Sequence, residues 1–316
     1  MKARYSVSAY LGEQMGGITY PETVNGLLED AEKDWPSVLR RLTRIRDIVL
    51  DRDTARNGML LDITGDAAVL AEVQPAVDTF LQTLPGDPSG SKLQDFYNTP
   101  HPWSVAAKAE MAANSPMKDE GFVVPTQVSY VGKAVRLYEE GETVPGSSAV
   151  ASRFLRTRYL CDNVRVIGGA YGGMCTFDAK ASDGVFTFIS YRDPNLSKTL
   201  DVYDGAGDAL LQAAEVLEKD EKELATAIIG AIGDMDGALS PDQKGSTAMN
   251  RWLARESPEK RLAYREAVLN TKASDFKDFA ERLKALKEPS VAVVSSTSAF
   301  ESAAEAGKVM DVKSIV

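Results

Sequence analysis

The sequence predicts an α+β fold in which a mostly antiparallel sheet carries helices on one side. The order of the elements predicts it: two strand patterns follow one another through the short turn AKASDG, and long runs with helical apolar spacing lie before and after them. The 316 residues leave room for two domains. A content of 44% hydrophobic and 26% charged residues is that of an ordinary globular protein with a sizeable core.

The first part of the chain shows two helical patterns around one strand pattern. Apolar residues recur at helical spacing through residues 21–53 and again through residues 65–84. Between them NGMLLDIT, residues 57–64, predicts a short apolar strand. Residues 85–121 are rich in Pro, Gly, Ser and Asn and have weak periodicity, which predicts an interdomain connection.

A second set of elements begins near Phe122. Apolar residues alternate from Phe122 to Tyr130, which predicts one strand, and a helix is expected over 147–160. Asp193 as N-cap and Pro194 at the first helical position predict a helix that continues to residue 217. The other expected elements are strands around 170–178, 184–191 and 291–296, helices after Ser240 and Ser257, and helices over 274–287 and 298–307.

A weak internal repeat divides the chain. GGITYPETVNG, residues 16–26, resembles DGALSPDQKGS, residues 236–246, and similar elements follow each copy. The first part therefore resembles the tail end of a domain of the same kind as the second. The predicted divisions are residues 1–90, a connection over 91–121, and a second domain over 122–316.

Charge and cysteine content limit the partners. The formal net charge of −10 and the pI of about 4.9 argue against nucleic acid and an anionic membrane surface, and are compatible with basic peptides. The two cysteines, Cys161 and Cys175, predict free thiols in a reducing, intracellular compartment. No apolar run approaches the roughly 20 residues that cross a bilayer, and the start of the chain has no apolar signal core.

The motifs of known catalysts are missing. His101 is the single histidine, and one histidine without neighbouring cysteines cannot build the usual three-ligand zinc site. The sequence contains no H-E-x-x-H, Walker A, G-x-S-x-G or G-x-G-x-x-G motif, and GDMDG at 233–237 lacks the remaining ligands of a calcium loop. We therefore expect no metal ligands and no complete catalytic machinery in this chain.

One glycine-rich stretch, VRVIGGAYGGMC at residues 164–175, is the candidate site. Arg165 and Tyr171 lie six residues apart, so on one strand their side chains share a face. A guanidinium and a phenol hydroxyl can both donate to a peptide carbonyl and to an oxyanion that develops there. The alternative is a buried tyrosine and a structural arginine in a bulged strand. The glycines that leave room for another chain are Gly168, Gly169, Gly172 and Gly173.

Five longer motifs carry a family resemblance. They are VPTQVSYVGKA (124–134), VRVIGGAYGGMCTFD (164–178), GVFTFISYRDPNLSKTLDVYDG (184–205), and AIIGAIGDMDG with PDQKG (227–245). This chain resembles the C-terminal half of the presequence proteases, which are pitrilysin-type zinc metallopeptidases that degrade cleaved targeting peptides in mitochondria and chloroplasts. YLGEQMGGITYPETV near the start matches as well, so the resemblance covers nearly the whole chain.

The resemblance implies a site divided between two halves. Such enzymes have four α+β domains in two halves around a peptide-sized chamber, and the first half holds zinc on an H-x-x-E-H helix with its Glu as general base. The second half contributes an arginine and a tyrosine that correspond to Arg165 and Tyr171. Residues 1–90 then end the third pitrilysin-like domain, and residues 122–316 form the fourth. The chain departs from the family pattern at Cys161, Asn163 and Met174.

The expected function is that of the C-terminal portion of a zinc metalloendopeptidase for short unstructured peptides such as cleaved targeting presequences. The chain is then inactive alone, and its partner is an N-terminal zinc-bearing half, covalent or separate, in the mitochondrial matrix or chloroplast stroma. A second hypothesis is a non-catalytic pitrilysin-like peptide-binding or scaffold subunit, because this chain lacks zinc ligands. A third is a fragment whose severed third domain leaves exposed apolar surface.

Overall fold

The computed structural model of the chain describes residues 1–50, 59–84, 100–113, 119–139, 141–177, 184–285 and 288–315. The α-helices within them are α1 (Val7–Gly16), α2 (Tyr20–Lys33), α3 (Trp35–Val49), α4 (Ala67–Thr83), α5 (Pro102–Ala113), α6 (Ser147–Phe154), α7 (Leu196–Asp204), α8 (Ala206–Leu217), α9 (Glu221–Met235), α10 (Pro241–Leu253), α11 (Pro258–Leu269), α12 (Ala273–Lys284) and α13 (Thr297–Glu305). The strands are β1 (Glu120–Val123), β2 (Tyr130–Arg136), β3 (Gly172–Phe177), β4 (Val185–Tyr191), β5 (Ser290–Ser295) and β6 (Asp311–Ser314). A 3₁₀-helix (Lys2–Arg4) and a π-helix (Leu155–Ile167) complete the described elements.

The chain divides into two compact units. The first comprises Met1–Glu13, Ala107–Gly237 and Pro258–Val316, and the second comprises Gln14–Ala106 and Ala238–Ser257. The first unit contains all six described strands, and the second contains helices α2, α3, α4 and α10. The domain divisions at residues 90 and 121 stay a prediction.

The strands form a single sheet in the order β3-β4-β2-β5-β1-β6. The pairs β3–β4, β4–β2 and β2–β5 are antiparallel, whereas β5–β1 and β1–β6 are parallel. Most of the pairing is therefore antiparallel. Together with the helices of the first unit, this confirms the predicted α+β class.

The main core lies on one face of the sheet. Val131 and Val135 of β2 and Phe186 and Phe188 of β4 are buried on this face. The helical side chains packed with them include Leu155, Leu160, Val164, Leu210, Phe276 and Phe279. On the opposite face, Ala134 and Val185 form a small separate cluster with Tyr5, which follows the 3₁₀-helix. The large helices thus cover one side, as the sequence predicts.

The strand predicted from Phe122 to Tyr130 is wrong, because this stretch belongs to two strands. β1 ends at Val123, β2 begins at Tyr130, and β5 lies between these two strands in the sheet. Pro125 lies in the break, and proline has no N–H with which to continue a ladder. The alternation of apolar residues across the break therefore suggested one continuous strand, whereas the backbone forms two.

The strand predicted at residues 57–64 is also wrong for its described part. Residues 59–64 form no strand, and their apolar side chains, such as Leu60 and Leu61, are exposed. Residues 57 and 58 lie outside the described residues. A strand needs a neighbour for its backbone groups, and the second unit has no strand among its described residues.

Two predicted helices are each divided. The pattern over 21–53 is interrupted at Asp34, whose carboxylate caps α3 by accepting from the Ser37 N–H at 3.1 Å. The pattern that ends at residue 217 is interrupted at Gly205, between α7 and α8. By contrast, the helices that begin at Pro241 and Pro258 are confirmed, as are α12, β5 and α13.

Candidate functional site

Arg165 lies on a helix and not on a strand. The helix predicted over 147–160 continues as a π-helix to Ile167, so residues 164–167 are helical and the common strand face expected for Arg165 and Tyr171 does not exist. Leu160 and Val164 of this helix enter the core, whereas the Arg165 side chain is exposed to solvent. π-Helical segments are rare and frequently occur at functional sites.

The glycines after Arg165 end this helix. The Gly169 N–H donates to the Arg165 carbonyl at 3.0 Å, and the Ala170 N–H donates to the Val164 carbonyl at 3.1 Å. Gly169 has a φ of 76°, the left-handed conformation that commonly follows a helix C-terminus and that glycine adopts without strain. The turn brings the chain directly from the helix to β3.

Tyr171 lies in this turn with its ring in solvent. Its side chain is 70% exposed, and its N–H donates to the Arg192 carbonyl at 3.3 Å. The ring of Tyr171 meets that of Tyr191 edge to face, with 5.8 Å between the centroids. Arg165 and Tyr171 are therefore both accessible, on either side of a short backbone turn with internal hydrogen bonds.

The four glycines of the stretch, at positions 168, 169, 172 and 173, have different structural roles. A Cβ at Gly168 would lie 2.5 Å from the Val164 carbonyl oxygen, and one at Gly173 would lie 2.7 Å from the Val164 Cβ. These two glycines let the turn and β3 pack closely on the helix. At Gly172, by contrast, a Cβ would meet nothing nearer than the Met174 Cε at 3.7 Å. Of the four, Gly172 combines free space with an ordinary backbone conformation.

A second turn, residues 192–195, supports the first. The Asn195 side-chain amide donates to the Gly168 carbonyl. Asp193 is buried and accepts from the Asn195 N–H at 2.8 Å and from the Thr199 hydroxyl at 2.6 Å. Arg192 has a φ of 50°, an uncommon conformation for a residue with a side chain. The predicted N-cap role of Asp193 is wrong, because α7 begins at Leu196 and Asn195 precedes it.

Sequence reasoning missed this turn as part of the site. The residues Arg192 to Asn195 lie more than twenty positions beyond Tyr171, and the sequence does not show which strands pair. The signal that pointed to it was the run of Asp, Pro and Asn after a strand pattern, which is typical of a turn. Only the register of β3 with β4, which places Gly172 opposite Tyr191, brings the two turns together.

The buried Cys175 is not part of an accessible site. Cys161 and Cys175 are both free thiols. Burial raises the pKa of the Cys175 thiol to about 12, and the thiol donates to the Ser152 carbonyl at 3.2 Å. Cys175 is therefore a neutral thiol at physiological pH.

Metal ligands do not come together in the part of the chain that the structure describes. No group of three or more His, Cys, Asp or Glu side chains there could hold a metal ion. The imidazole of His101 stacks on Trp103 with 5.8 Å between the ring centroids. Zinc thus finds no donor set among these residues. None of the described helices is long and apolar enough to cross a membrane.

Comparison with known families identifies the chain. The family model described as the PreP C-terminal domain matches residues 119–298. The match spans more than half of the chain and includes both Arg165 and Tyr171. The chain therefore belongs to the PreP C-terminal domain family, as the sequence motifs predict.

Relatives match nearly the whole chain. Presequence protease 1, chloroplastic/mitochondrial, of Arabidopsis thaliana is 40% identical over 93% of this chain and 25% of its own length. Protein HypA of Clostridium perfringens is 27% identical over 89% of this chain and 26% of its length. The mitochondrial presequence protease of Saccharomyces cerevisiae is 28% identical over 90% of this chain and 27% of its length. The chain spans about a quarter of the length of these relatives.

Solved structures with similar folds include two peptidases. The peptidase M16 inactive domain from Pseudomonas fluorescens has a TM-score of 0.45 and 12% identity, covering 72% of this chain and 51% of that one. Pitrilysin has a TM-score of 0.40 and 12% identity, covering 87% of this chain and 33% of that one. Likenesses of this size carry no argument about function.

Proposed function

We propose that this chain is the C-terminal portion of a zinc metalloendopeptidase that degrades short unstructured peptides, such as cleaved targeting presequences. Membership of the PreP C-terminal domain family and relatives named presequence proteases support the proposal. In this role the chain supplies contacts to the substrate and to the transition state. It contributes no zinc ligands and is inactive alone.

The observation that carries the proposal is the exposure of Arg165 and Tyr171 around one short turn. Neither side chain belongs to the core, although the residue before Arg165 is buried and the residues after Tyr171 enter the sheet. A permanently charged guanidinium and a phenol hydroxyl at such a turn can reach a molecule outside the chain. Both side chains are accessible in this way, although the Tyr171 ring also meets that of Tyr191.

Each side chain has a definite chemical task in the proposed enzyme. Arg165 donates hydrogen bonds to a carbonyl oxygen of the bound peptide. Tyr171 donates its hydroxyl proton in a hydrogen bond to the oxygen that gains negative charge as the peptide bond is attacked. In a site that excludes water, one such donor lowers the barrier by about 3–4 kcal/mol. Gly168, Gly169, Gly172 and Gly173 keep the backbone beside this pair free of side chains.

Zinc belongs to the partner in this proposal. Because the described residues offer no donor set, an N-terminal half, covalent or separate, would hold the ion. When bound, zinc supplies the Lewis acid of a metallopeptidase. The mitochondrial matrix or the chloroplast stroma is the proposed compartment of the assembled enzyme, and relatives named chloroplastic/mitochondrial and mitochondrial support it.

The test is the turnover of the enzyme reconstituted from this chain and the zinc-bearing half. We expect Tyr171→Phe to lower kcat about ten-fold or more while the melting temperature stays unchanged, because only the hydroxyl is lost from an exposed ring. Tyr20→Phe, at an exposed tyrosine of the second unit, is the matched control and should leave kcat unchanged. Unchanged turnover of the Tyr171 variant would refute the assignment.

The second candidate function is a non-catalytic peptide-binding or scaffold subunit of pitrilysin type. The lack of a metal donor set among the described residues favours it. An exposed Arg165 and Tyr171 count against it, since a scaffold has no need of two such donors around one turn. Co-purification of this chain with candidate N-terminal halves distinguishes the two functions. If no half that carries H-x-x-E-H restores peptide hydrolysis, the scaffold function is correct.

A further inference from the structure

Three tyrosines form a continuous exposed row beside the candidate site. The ring of Tyr191, the last residue of β4, meets that of Tyr171 with 5.8 Å between centroids and that of Tyr130, the first residue of β2, at 5.4 Å. Both contacts are edge to face. Tyr130, Tyr171 and Tyr191 are called the tyrosine row below.

The tyrosine row is unusual within its unit. In the described part of the first unit, Tyr130, Tyr171 and Tyr191 are the only aromatic side chains in the exposed class, at 36%, 70% and 39%. The other phenylalanines and tyrosines of that part are buried or half-buried. Exposed aromatic rings that cluster in one place mark binding surfaces, because each offers a large rigid apolar area beside a polar tip.

A glycine lies opposite the central tyrosine of the row. Gly172 is the cross-strand partner of Tyr191, and a Cβ on Gly172 would lie only 4.0 Å from the Tyr191 Cβ. A side chain at this position would normally pack on its cross-strand neighbour. With glycine at position 172, the Tyr191 ring meets the rings of Tyr171 and Tyr130 and no side chain of its cross-strand partner. Gly172 is also the glycine for which the fold itself gives no packing reason.

One cation contacts the row, and a second lies on the helix that precedes it in the chain. The Arg192 guanidinium lies over the Tyr191 ring, 5.6 Å from its centroid, and holds one side of it by a cation–π contact. Arg192 adopts its uncommon positive φ at this place, and its carbonyl anchors the Tyr171 N–H. Uncommon backbone conformations cluster at ligand sites. Arg165 is exposed on the preceding helix, so the surroundings suit an oxygen-rich backbone as well as an apolar side chain.

We infer that the tyrosine row is a specificity subsite, which takes the large apolar or aromatic side chain of an extended peptide whose adjoining backbone carbonyl contacts Arg165 and Tyr171. The inference rests on the proposed function and adds to it a substrate preference. Tyr191 determines that preference, since it is the central ring of the row and contacts both other tyrosines. Tyr130 supports Tyr191 from the other side.

The test is peptide binding to the full chain, measured by fluorescence anisotropy. The probes are two short labelled unstructured peptides that differ at one central residue, which is Phe in one and Ser in the other. We expect Tyr191→Ala to weaken binding of the Phe peptide by about three- to ten-fold and to leave the Ser peptide unchanged, as an aromatic pair contributes that much. Tyr191→Phe should retain the preference, because the ring is kept.

Two further variants separate the possible failures. Ile229→Ala removes an exposed apolar side chain of α9 and should leave the binding of both peptides unchanged. Arg165→Gln should weaken the binding of both peptides equally, since Arg165 contacts the peptide backbone, which the two probes share. If Tyr191→Ala weakens the binding of both peptides equally, or of neither, the assignment of the subsite is wrong while the proposed function stands. If the unmodified chain binds neither peptide, the subsite is wrong, because the tyrosine row then holds no peptide side chain. If Arg165→Gln changes the binding of neither peptide, the proposed function fails as well.

Discussion

At the scale of single residues, Asp193 illustrates how a carboxylate supports a site that it does not touch. It is buried, and its two oxygens accept from the Asn195 N–H and from the Thr199 hydroxyl. The backbone of Asp193 also exchanges hydrogen bonds with Ser129, at 2.7 and 2.8 Å. The turn that holds Gly168 and Tyr171 is therefore fixed in part by the Asp193 side chain.

Asp193→Asn should destabilise the first unit. The amide keeps one accepting oxygen, and its NH₂ group faces a donor, so a buried hydrogen bond is lost at a cost of about 1–3 kcal/mol. Urea unfolding of the two proteins measures the difference. Asp162→Asn, at an exposed position of the π-helix, is the control, and its free energy of unfolding should equal that of the unmodified chain within error. Equal stabilities of Asp193→Asn and the unmodified chain would show that the turn is held by its backbone bonds alone.

The residues of the site were only partly predictable. Arg165 and Tyr171 were singled out because their types and the surrounding glycines lie together in the sequence, and because the family resemblance implies a role for them. Tyr130 and Tyr191 are sixty-one positions apart, and no local pattern links them. Their rings meet because β2 and β4 pair with a particular register, and register is a property of the folded sheet.

At the scale of elements, the helix that carries Arg165 differs most from the sequence prediction. Val164, Val166 and Ile167 are β-branched and favour strands in isolation. Packing overrides this preference: Val164 and Leu160 enter the core from a helix, and Gly173 allows β3 to lie against them. The shared strand face considered for Arg165 and Tyr171 is therefore absent, because tertiary contacts form a π-helix at Arg165.

Two glycines of one stretch should respond differently to the same substitution. Gly169→Ala forces an L-residue into the left-handed region and should cost about 1–2 kcal/mol of stability. Gly172→Ala meets no atom closer than 3.7 Å and has no positive φ, so its melting temperature should stay close to that of the unmodified chain. Thermal unfolding monitored by circular dichroism compares the pair. A loss of the same size in both would contradict the distinction drawn between them.

The failed strand at residues 57–64 shows the limit of apolar patterns. A short run of apolar residues indicates side chains that are suited to burial. A strand also needs a neighbouring strand with which its backbone groups form hydrogen bonds. Helix starts were more predictable. Ser240 and Ser257 before proline each mark a helix, because the capping and proline preferences act within a few residues.

At the scale of the whole molecule, the chain combines membership of a peptidase family with the lack of a metal donor set among its described residues. It spans about a quarter of the length of its relatives. Its net charge of −10 suits basic peptides and argues against nucleic acid. These properties agree with a division of labour in which this chain positions the peptide and another part of the enzyme holds the zinc.

The most direct test of the account replaces Tyr171 with the photocrosslinker p-benzoylphenylalanine in the reconstituted enzyme. Irradiation with a labelled unstructured peptide, followed by mass spectrometry, reports whether residue 171 touches the substrate. The account predicts a crosslink to the peptide from this position and none above background from the same photocrosslinker at Tyr20. Equal labelling at both positions, or none at residue 171, would contradict the claim that this turn contacts the peptide.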